Sequence, residues 1–279
     1  MKNLALTIIT ANLLLLMTVA STTATSGQYA TVNGMKMYYE IHGTGKPLVL
    51  IHGGGSTIES TYGRILPALT THHMVIGVEL QAHGHTADRD KPLSFEQDAD
   101  DVAELLKQLK IDKADIMGFS NGGTTALQIA IRHPQLVGKL ILASALYKRD
   151  GMQPGFFEMM DHASFDQMPQ PLKDAYLAAN PSQDGLMTMF KRDVARMQTF
   201  KDISDADIKN IQAPALIING DKDVVTNDHA LLLSRTLAHS ELAILPSGHG
   251  EYIGEICSPD KNSTLPMLVT GMIEAFLKK

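Results

Sequence analysis

The sequence predicts an α/β protein in which a mostly parallel sheet carries helices on both faces. Three observations predict it. Short apolar runs recur along the chain, helical segments fall between them, and turn residues mark the junctions.

The elements follow in order. Met35 to Ile41 is dense in strand formers and ends at His42-Gly43, ahead of the turn residues Thr44-Gly45-Lys46-Pro47. Leu48 to Ile51 is wholly apolar, as a strand covered on both faces must be. Met74 to Val78, Ala114 to Phe119, Lys139 to Ala145, Ala215 to Ile218 and Glu241 to Leu245 complete the strands. Ser94-Phe95-Glu96-Gln97 reads as a capping box. Behind it Phe95, Val102, Leu105, Leu106 and Leu109 form one apolar stripe at helical spacing, which puts Asp98, Asp100 and Asp101 on the exposed face. Thr124 to Ile131 is apolar nearly all round and stops at His133-Pro134, the pattern of a buried helix ended by proline. Asp228 to Leu237 and Thr264 to Leu277 are the last two helices.

One segment breaks the alternation. Between Leu146 and Ile211 the pattern is helical, with no convincing strand. It predicts a helical lid over about 147–210, above the C-terminal edge of the sheet, where open α/β folds place ligands. It carries Met152, Met159, Met160, Met168, Met187, Met189 and Met197, out of 15 methionines in the chain. Methionine adapts to irregular apolar surfaces. These residues either line an apolar substrate cavity or pack the lid onto the body, and the sequence leaves both open.

The chain has 279 residues, enough for one large domain over 28–279. Its net charge is −6, without the clustered Lys and Arg that nucleic-acid binding needs. The N-terminus reads as a signal peptide over 1–20: Lys2, then the apolar run Leu4 to Val19, then small polar residues to Ser26. Cleavage is expected after Ala20 or after Ala24. The run is short and diluted for a bilayer span. The expectation is a periplasmic or secreted protein with no stable membrane association after cleavage. Cys257 is the only cysteine, so no intrachain disulfide forms.

The residues that carry chemistry begin with Gly118-Phe119-Ser120-Asn121-Gly122, between an apolar strand and a buried helix. There, G-x-S-x-G is a nucleophile elbow. The turn is so sharp that side chains two residues either side of the serine would collide. The helix N-terminus behind Ser120 favours developing negative charge. A serine hydroxyl needs a base, and the base needs an orienting carboxylate. His249 lies after the last strand, in Pro246-Ser247-Gly248-His249-Gly250. His239 precedes that strand and falls at the wrong end of the sheet. Asp221 and Asp223 both follow Ala215 to Ile218, and spacing does not choose between them. An oxyanion would need backbone N–H donors. The Asn121 amide is one; the other comes from His52-Gly53-Gly54-Gly55, with Gly54 favoured and Gly53 or Gly55 close alternatives.

Together these motifs resemble the α/β-hydrolase superfamily, in the branch with a lid after the sixth core strand. The resemblance runs from about Met35 to Leu277. It implies Ser120 as nucleophile, Asp223 as acid, His249 as base, and the Gly54 and Asn121 amides as oxyanion donors. The preference for Asp223 over Asp221 comes from this resemblance. One stretch departs from the family pattern Asp-x-Arg-Gly-x-Gly-x-Ser: here it is Glu79-Leu80-Gln81-Ala82-His83-Gly84-His85-Thr86, with Gln81 in the arginine's place.

The serine excludes branches that use an aspartate nucleophile. The expected activity is a serine esterase acting on a small to medium, partly apolar carboxylic ester. A lactonase or a C–C bond hydrolase is the alternative, although Ser56-Thr57 stands where C–C hydrolases continue the glycine loop with proline. A non-catalytic small-ligand receptor of the same fold is the remaining alternative, and the complete triad argues against it. No cofactor is expected. His83-x-His85 and His72-His73 lack a completing ligand pattern for a metal and read as loop histidines.

Overall fold

The computed structural model describes residues 27–279; the expected signal peptide and its cleavage positions lie outside the described residues. Among the described residues one sheet has eight strands: β1 (Gln28–Val32), β2 (Met35–His42), β3 (Lys46–Ile51), β4 (His73–Val78), β5 (Ala114–Phe119), β6 (Val137–Ala143), β7 (Ala215–Gly220) and β8 (Ser240–Leu245). Their spatial order is β1-β2-β4-β3-β5-β6-β7-β8. β2 pairs antiparallel with both β1 and β4, and every pairing from β4 to β8 is parallel. The protein is therefore of the α/β class that the sequence predicts.

The helices are α1 (Ile58–Tyr62), α2 (Leu66–Leu69), α3 (Phe95–Gln108), α4 (Asn121–Arg132), α5 (Phe156–Asp161), α6 (Gln170–Ala179), α7 (Gln183–Gln198), α8 (Asp205–Lys209), α9 (Asn227–Thr236) and α10 (Leu265–Lys278). Successive strand side chains point to opposite faces, and the apolar strands use both. Val49, Ile51, Ile116, Leu140, Leu142 and Ile217 pack with α3, α4 and α9. Leu48, Leu50, Met117, Ile141, Leu216 and Ile218 pack with α2 and α10. Each fully buried side chain of this kind contributes about 1.5–3 kcal/mol, which is why unbroken apolar runs mark these strands. Between β6 and β7 lie α5, α6, α7 and α8, with no strand among the described residues. No described helix is long and apolar enough to cross a membrane.

Several expectations need correction. β1 was not expected. It joins β2 through Asn33 and Gly34, both at positive φ, and Asn-Gly is the strongest short hairpin signal. The sixth strand ends at Ala143 and not at Ala145, because Ser144 takes φ 49° and leaves the sheet. The capping box is half formed. Ser94 Oγ accepts from the Gln97 amide at 3.1 Å, but the Gln97 side chain donates to Asp101 at 2.9 Å. Asp98 and Asp101 are not exposed: each is 1% accessible and paired to an arginine, Asp98 to Arg196 and Asp101 to Arg89. Of the paired histidines, His73 departs from the expectation: it opens β4, buried beside Glu274 at 3.0 Å, while His72, His83 and His85 lie in loops as expected, His83 completely buried.

Candidate active site

Ser120 occupies the turn between β5 and α4 with φ 53° and ψ −120°. A non-glycine residue there costs about 1–3 kcal/mol, and the flanking geometry forces it. A Cβ on Gly118 would lie 2.0 Å from the Gly122 carbonyl oxygen, and one on Gly122 would lie 2.2 Å from that of Ile51. The Ser120 amide donates to Ala143 O at 2.8 Å, and the Gly123 amide donates back to Ser120 O at 2.8 Å. The hydroxyl thus stands at the C-terminal edge of the sheet, at the mouth of α4.

His249 follows β8. Its Nε2 lies 3.1 Å from Ser120 Oγ, and its Nδ1 lies 2.7 Å from Asp223 Oδ1. The carboxylate only accepts, so Nδ1 carries the proton and Nε2 presents its lone pair to the hydroxyl. The ring leans on Phe119 at 4.7 Å between centroids.

Asp223 lies beyond β7 with its side chain wholly buried. Besides His249 it accepts from the Val225 amide at 3.0 Å and from Ser144 Oγ at 2.6 Å. Burial works against its charge, yet the bond to His249 and these two donors hold the carboxyl below the usual aspartate range. Asp221 has a different task. Its carboxylate accepts from the Ser247 amide at 2.9 Å and ties down the loop that leads to His249.

The sequence reading missed Ser144. The signal for it is geometric: a positive φ at the end of β6 turns its hydroxyl under Asp223. Tyr252 OH lies 2.7 Å from Ser144 Oγ and extends the buried chain.

Gly54 and Asn121, whose amides are expected to donate to an oxyanion, line the same cavity as Ser120. Among the described residues neither the Gly54 nor the Asn121 amide has a hydrogen-bond partner. Gly55 is different, because its amide donates to Asp193 Oδ2 at 2.6 Å. Gly53 lies outside the cavity lining, against Phe119. Of the three glycines, Gly54 is therefore the one with a free amide on the cavity.

The loop that departs from the family pattern is tightly bonded. Gln81 donates to Asp88 at 2.6 Å and to Lys91 O at 2.9 Å, and accepts from Arg89 at 2.6 Å. Arg89 in turn bridges to Asp101. Arg89, eight positions after Gln81, thus links Gln81 to Asp101. Glu79 accepts from the His85 amide at 2.6 Å.

The cavity has a volume of about 440 Å³. Six of the seven lid methionines line it: Met152, Met159, Met160, Met168, Met189 and Met197. Met152 and Met197 also pack on Phe95 of the body, and Met189 on Ala82, so these three do both jobs. Among the described residues, Asp193 and His249 are the only ionisable groups on the lining. Cys257 lies outside the cavity lining, and partial desolvation with the nearby Glu255 pushes its pKa up to about 12.

A family model described as the alpha/beta hydrolase fold matches residues 46–197. The chain belongs to that family. A human relative, serine hydrolase BPHL, is 31% identical over 241 residues, covering 81% of this chain and 80% of its own. A Pseudomonas putida relative, 2-hydroxy-6-oxo-2,4-heptadienoate hydrolase, is 27% identical over 78% of this chain and 87% of its own. The enol-lactonase of Burkholderia xenovorans LB400 superposes with a TM-score of 0.71 at 22% identity, over 90% of this chain and all of that one. The likeness to that structure is one of fold. The family and its curated relatives make the chain a hydrolase by class, and the choice of bond turns on the cavity.

Proposed function

We propose that this protein is a serine hydrolase that cleaves neutral carboxylic esters through an acyl-enzyme. The observation that carries the reading is the unbroken hydrogen-bonded chain Ser120–His249–Asp223 at the foot of an apolar cavity. His249 Nε2 takes the proton of Ser120 Oγ while Oγ attacks the ester carbon. The carbonyl oxygen becomes an oxyanion and accepts from the Gly54 and Asn121 amides. Asp223 stabilises the imidazolium without taking its proton. Collapse of the intermediate expels the alkoxide, which receives the proton held on Nε2, and leaves the acyl group on Ser120. Water then attacks with His249 again as base. The carboxylic acid departs and Ser120 regains its proton. A lactone follows the same steps with its alcohol still tethered.

The lining supports an ester or lactone over the dienoate chemistry named for the Pseudomonas putida relative. A dienoate carries a carboxylate. Among the described residues no Lys or Arg lines this cavity. A buried carboxylate without a partner costs several kcal/mol, which disfavours anionic substrates. A pure binding protein is disfavoured in turn, since binding needs neither His249 nor Asp223.

The test is a panel of p-nitrophenyl esters of rising chain length, with neutral lactones and one anionic acyl group. p-Nitrophenyl butyrate is expected to exceed p-nitrophenyl hemisuccinate in kcat/KM by roughly 10²-fold or more. Equal rates on the two, or no turnover of any ester or lactone, would overturn the reading.

A further inference from the structure

The lid reaches the glycine loop through a single carboxylate. Asp193, on α7, accepts the Gly55 amide on Oδ2 at 2.6 Å and faces His83 Nε2 with the same atom at 2.9 Å. Its Oδ1 accepts from Arg196, whose other terminal nitrogen donates to Asp98 at 2.8 Å. His83 Nδ1 meets the Gln81 carbonyl oxygen at 2.8 Å. His83 Nε2 also lies 3.3 Å from the Gly55 nitrogen, so the Gly55 amide sits between the ring and Asp193. Asp98, Arg196, Asp193 and His83 form a buried string, with His52 stacked obliquely on His83 at 4.8 Å. Burial and the adjacent His83 hold His52 neutral, down to about 3.

This string ends on backbone. Gly55 has φ 67°, a conformation that glycine adopts without strain. Its N–H bond to Asp193 fixes the peptide plane joining Gly54 to Gly55, and the Ser56 hydroxyl lies 3.4 Å from the Gly54 oxygen of the same plane. The Gly54 amide is the next donor back along the chain. It lies in the preceding peptide plane, joined to this one through φ and ψ of Gly54, so anchoring the Gly54–Gly55 plane restricts the directions that N–H can take.

We propose that Asp193 is a positioning residue that, by holding the Gly55 amide, aims the Gly54 N–H at the substrate oxyanion. The inference rests on the reading of Ser120 and Gly54 under Proposed function. Seating the lid and completing the oxyanion site are then one event, because the same carboxylate belongs to both. Burial opposes the charge on Asp193, and His83 and Arg196 keep it ionised far below the usual range, so the acceptor persists at acid pH. Burial opposes a charge on His83, and Asp193 raises its pKa above the ordinary histidine value.

The test uses the full-length chain with Asp193→Ala and Asp193→Asn. kcat and KM are measured on p-nitrophenyl butyrate, and the acyl-enzyme burst counts competent sites. Affinity is measured for an alkyl trifluoromethyl ketone, which forms a hemiketal oxyanion on the serine. Asp193→Ala is expected to lower kcat per competent site by roughly tenfold to a hundredfold, approaching the loss of one oxyanion donor. KM should change little, and ketone affinity should fall by the same factor as kcat/KM. Asp193→Asn, which keeps one carbonyl oxygen, should fall between wild type and Asp193→Ala. If Asp193→Ala does not fold, Asp193→Asn carries the same comparison of kcat/KM with ketone affinity. Unchanged kcat per competent site, a loss confined to KM, or a loss of rate without loss of ketone affinity would overturn the proposal. Ser120→Ala distinguishes the underlying reading: if that variant stays active, it is the serine mechanism that has failed.

Discussion

The body and the lid share one cavity but build their walls differently. On the body, position is set by backbone. Ser120 is held by a turn that only Gly118 and Gly122 permit, and the proposed oxyanion donors, Gly54 and Asn121, are backbone amides. On the lid, the wall is six methionines, unbranched side chains that can repack. The body therefore sets the geometry of the proposed reaction, and the lid, apart from Asp193, sets the size and polarity of what enters. Changes on the body should act on kcat steeply. Changes to the lid methionines should redistribute kcat/KM among substrates.

The largest expected effect is on the body. Ser120→Ala should lower kcat by roughly 10⁵-fold or more with the melting temperature retained; ester hydrolysis near the original rate would remove the nucleophile assignment. Next comes the contrast between the two acids. Asp223→Asn leaves the shape but spoils the tautomer of His249, and kcat should fall by about 10⁴-fold. Asp221→Asn loses part of one turn bond, and its kcat should stay within about tenfold, since such a bond contributes about 1 kcal/mol. If the two variants lose equally, the division of labour between Asp223 and Asp221 is wrong.

On the lid, Met160→Ala should enlarge the cavity and shift preference toward longer acyl chains by about tenfold in relative kcat/KM. The ratio of octanoate to butyrate hydrolysis measures it, and an unchanged ratio would place Met160 outside the acyl path.

The smallest effect concerns stability. His229 accepts the Tyr147 amide at 3.1 Å, and burial lowers its pKa to about 4. The unfolded chain takes up this proton near pH 6.5 and the folded chain does not until about pH 4, so stability falls as pH drops through that window. At about 1.4 kcal/mol per unit, His229 accounts for roughly 3 kcal/mol across it. His52 acts in the same direction, while Asp98, raised to about 6 by burial despite Arg196, opposes them by keeping a proton in the fold. Melting curves between pH 7 and 5 should flatten in His229→Gln, whose side chain can still accept from Tyr147.

The same division explains what could be read in advance. Ser120, His249 and the glycine loop announce themselves because backbone constraints leave local patterns. The strands do so because burial on both faces demands unbroken apolar runs. The hairpin at Asn33-Gly34 was equally legible and was overlooked. Ser144 and Asp193 were not legible. Ser144 meets Asp223 across 79 residues, and Asp193 meets Gly55 across 138, with no period or spacing to link them. Asp98 and Asp101 fall on the apolar stripe of α3, but their partners lie too far off, or in too irregular a loop, for the pattern to include them. The choice of Asp223 over Asp221 came from resemblance, and the distances to His249 and Ser247 now give it a geometric basis.

The turn at Ser120 has a thermodynamic meaning as well. A residue with a side chain at φ 53° and ψ −120° sits where glycine would rest without strain. The fold is therefore less stable with its nucleophile than with glycine at 120, by about 1 kcal/mol or more. Selection for stability alone would erase that serine, so its presence marks a position held against the folding gradient by what the hydroxyl does.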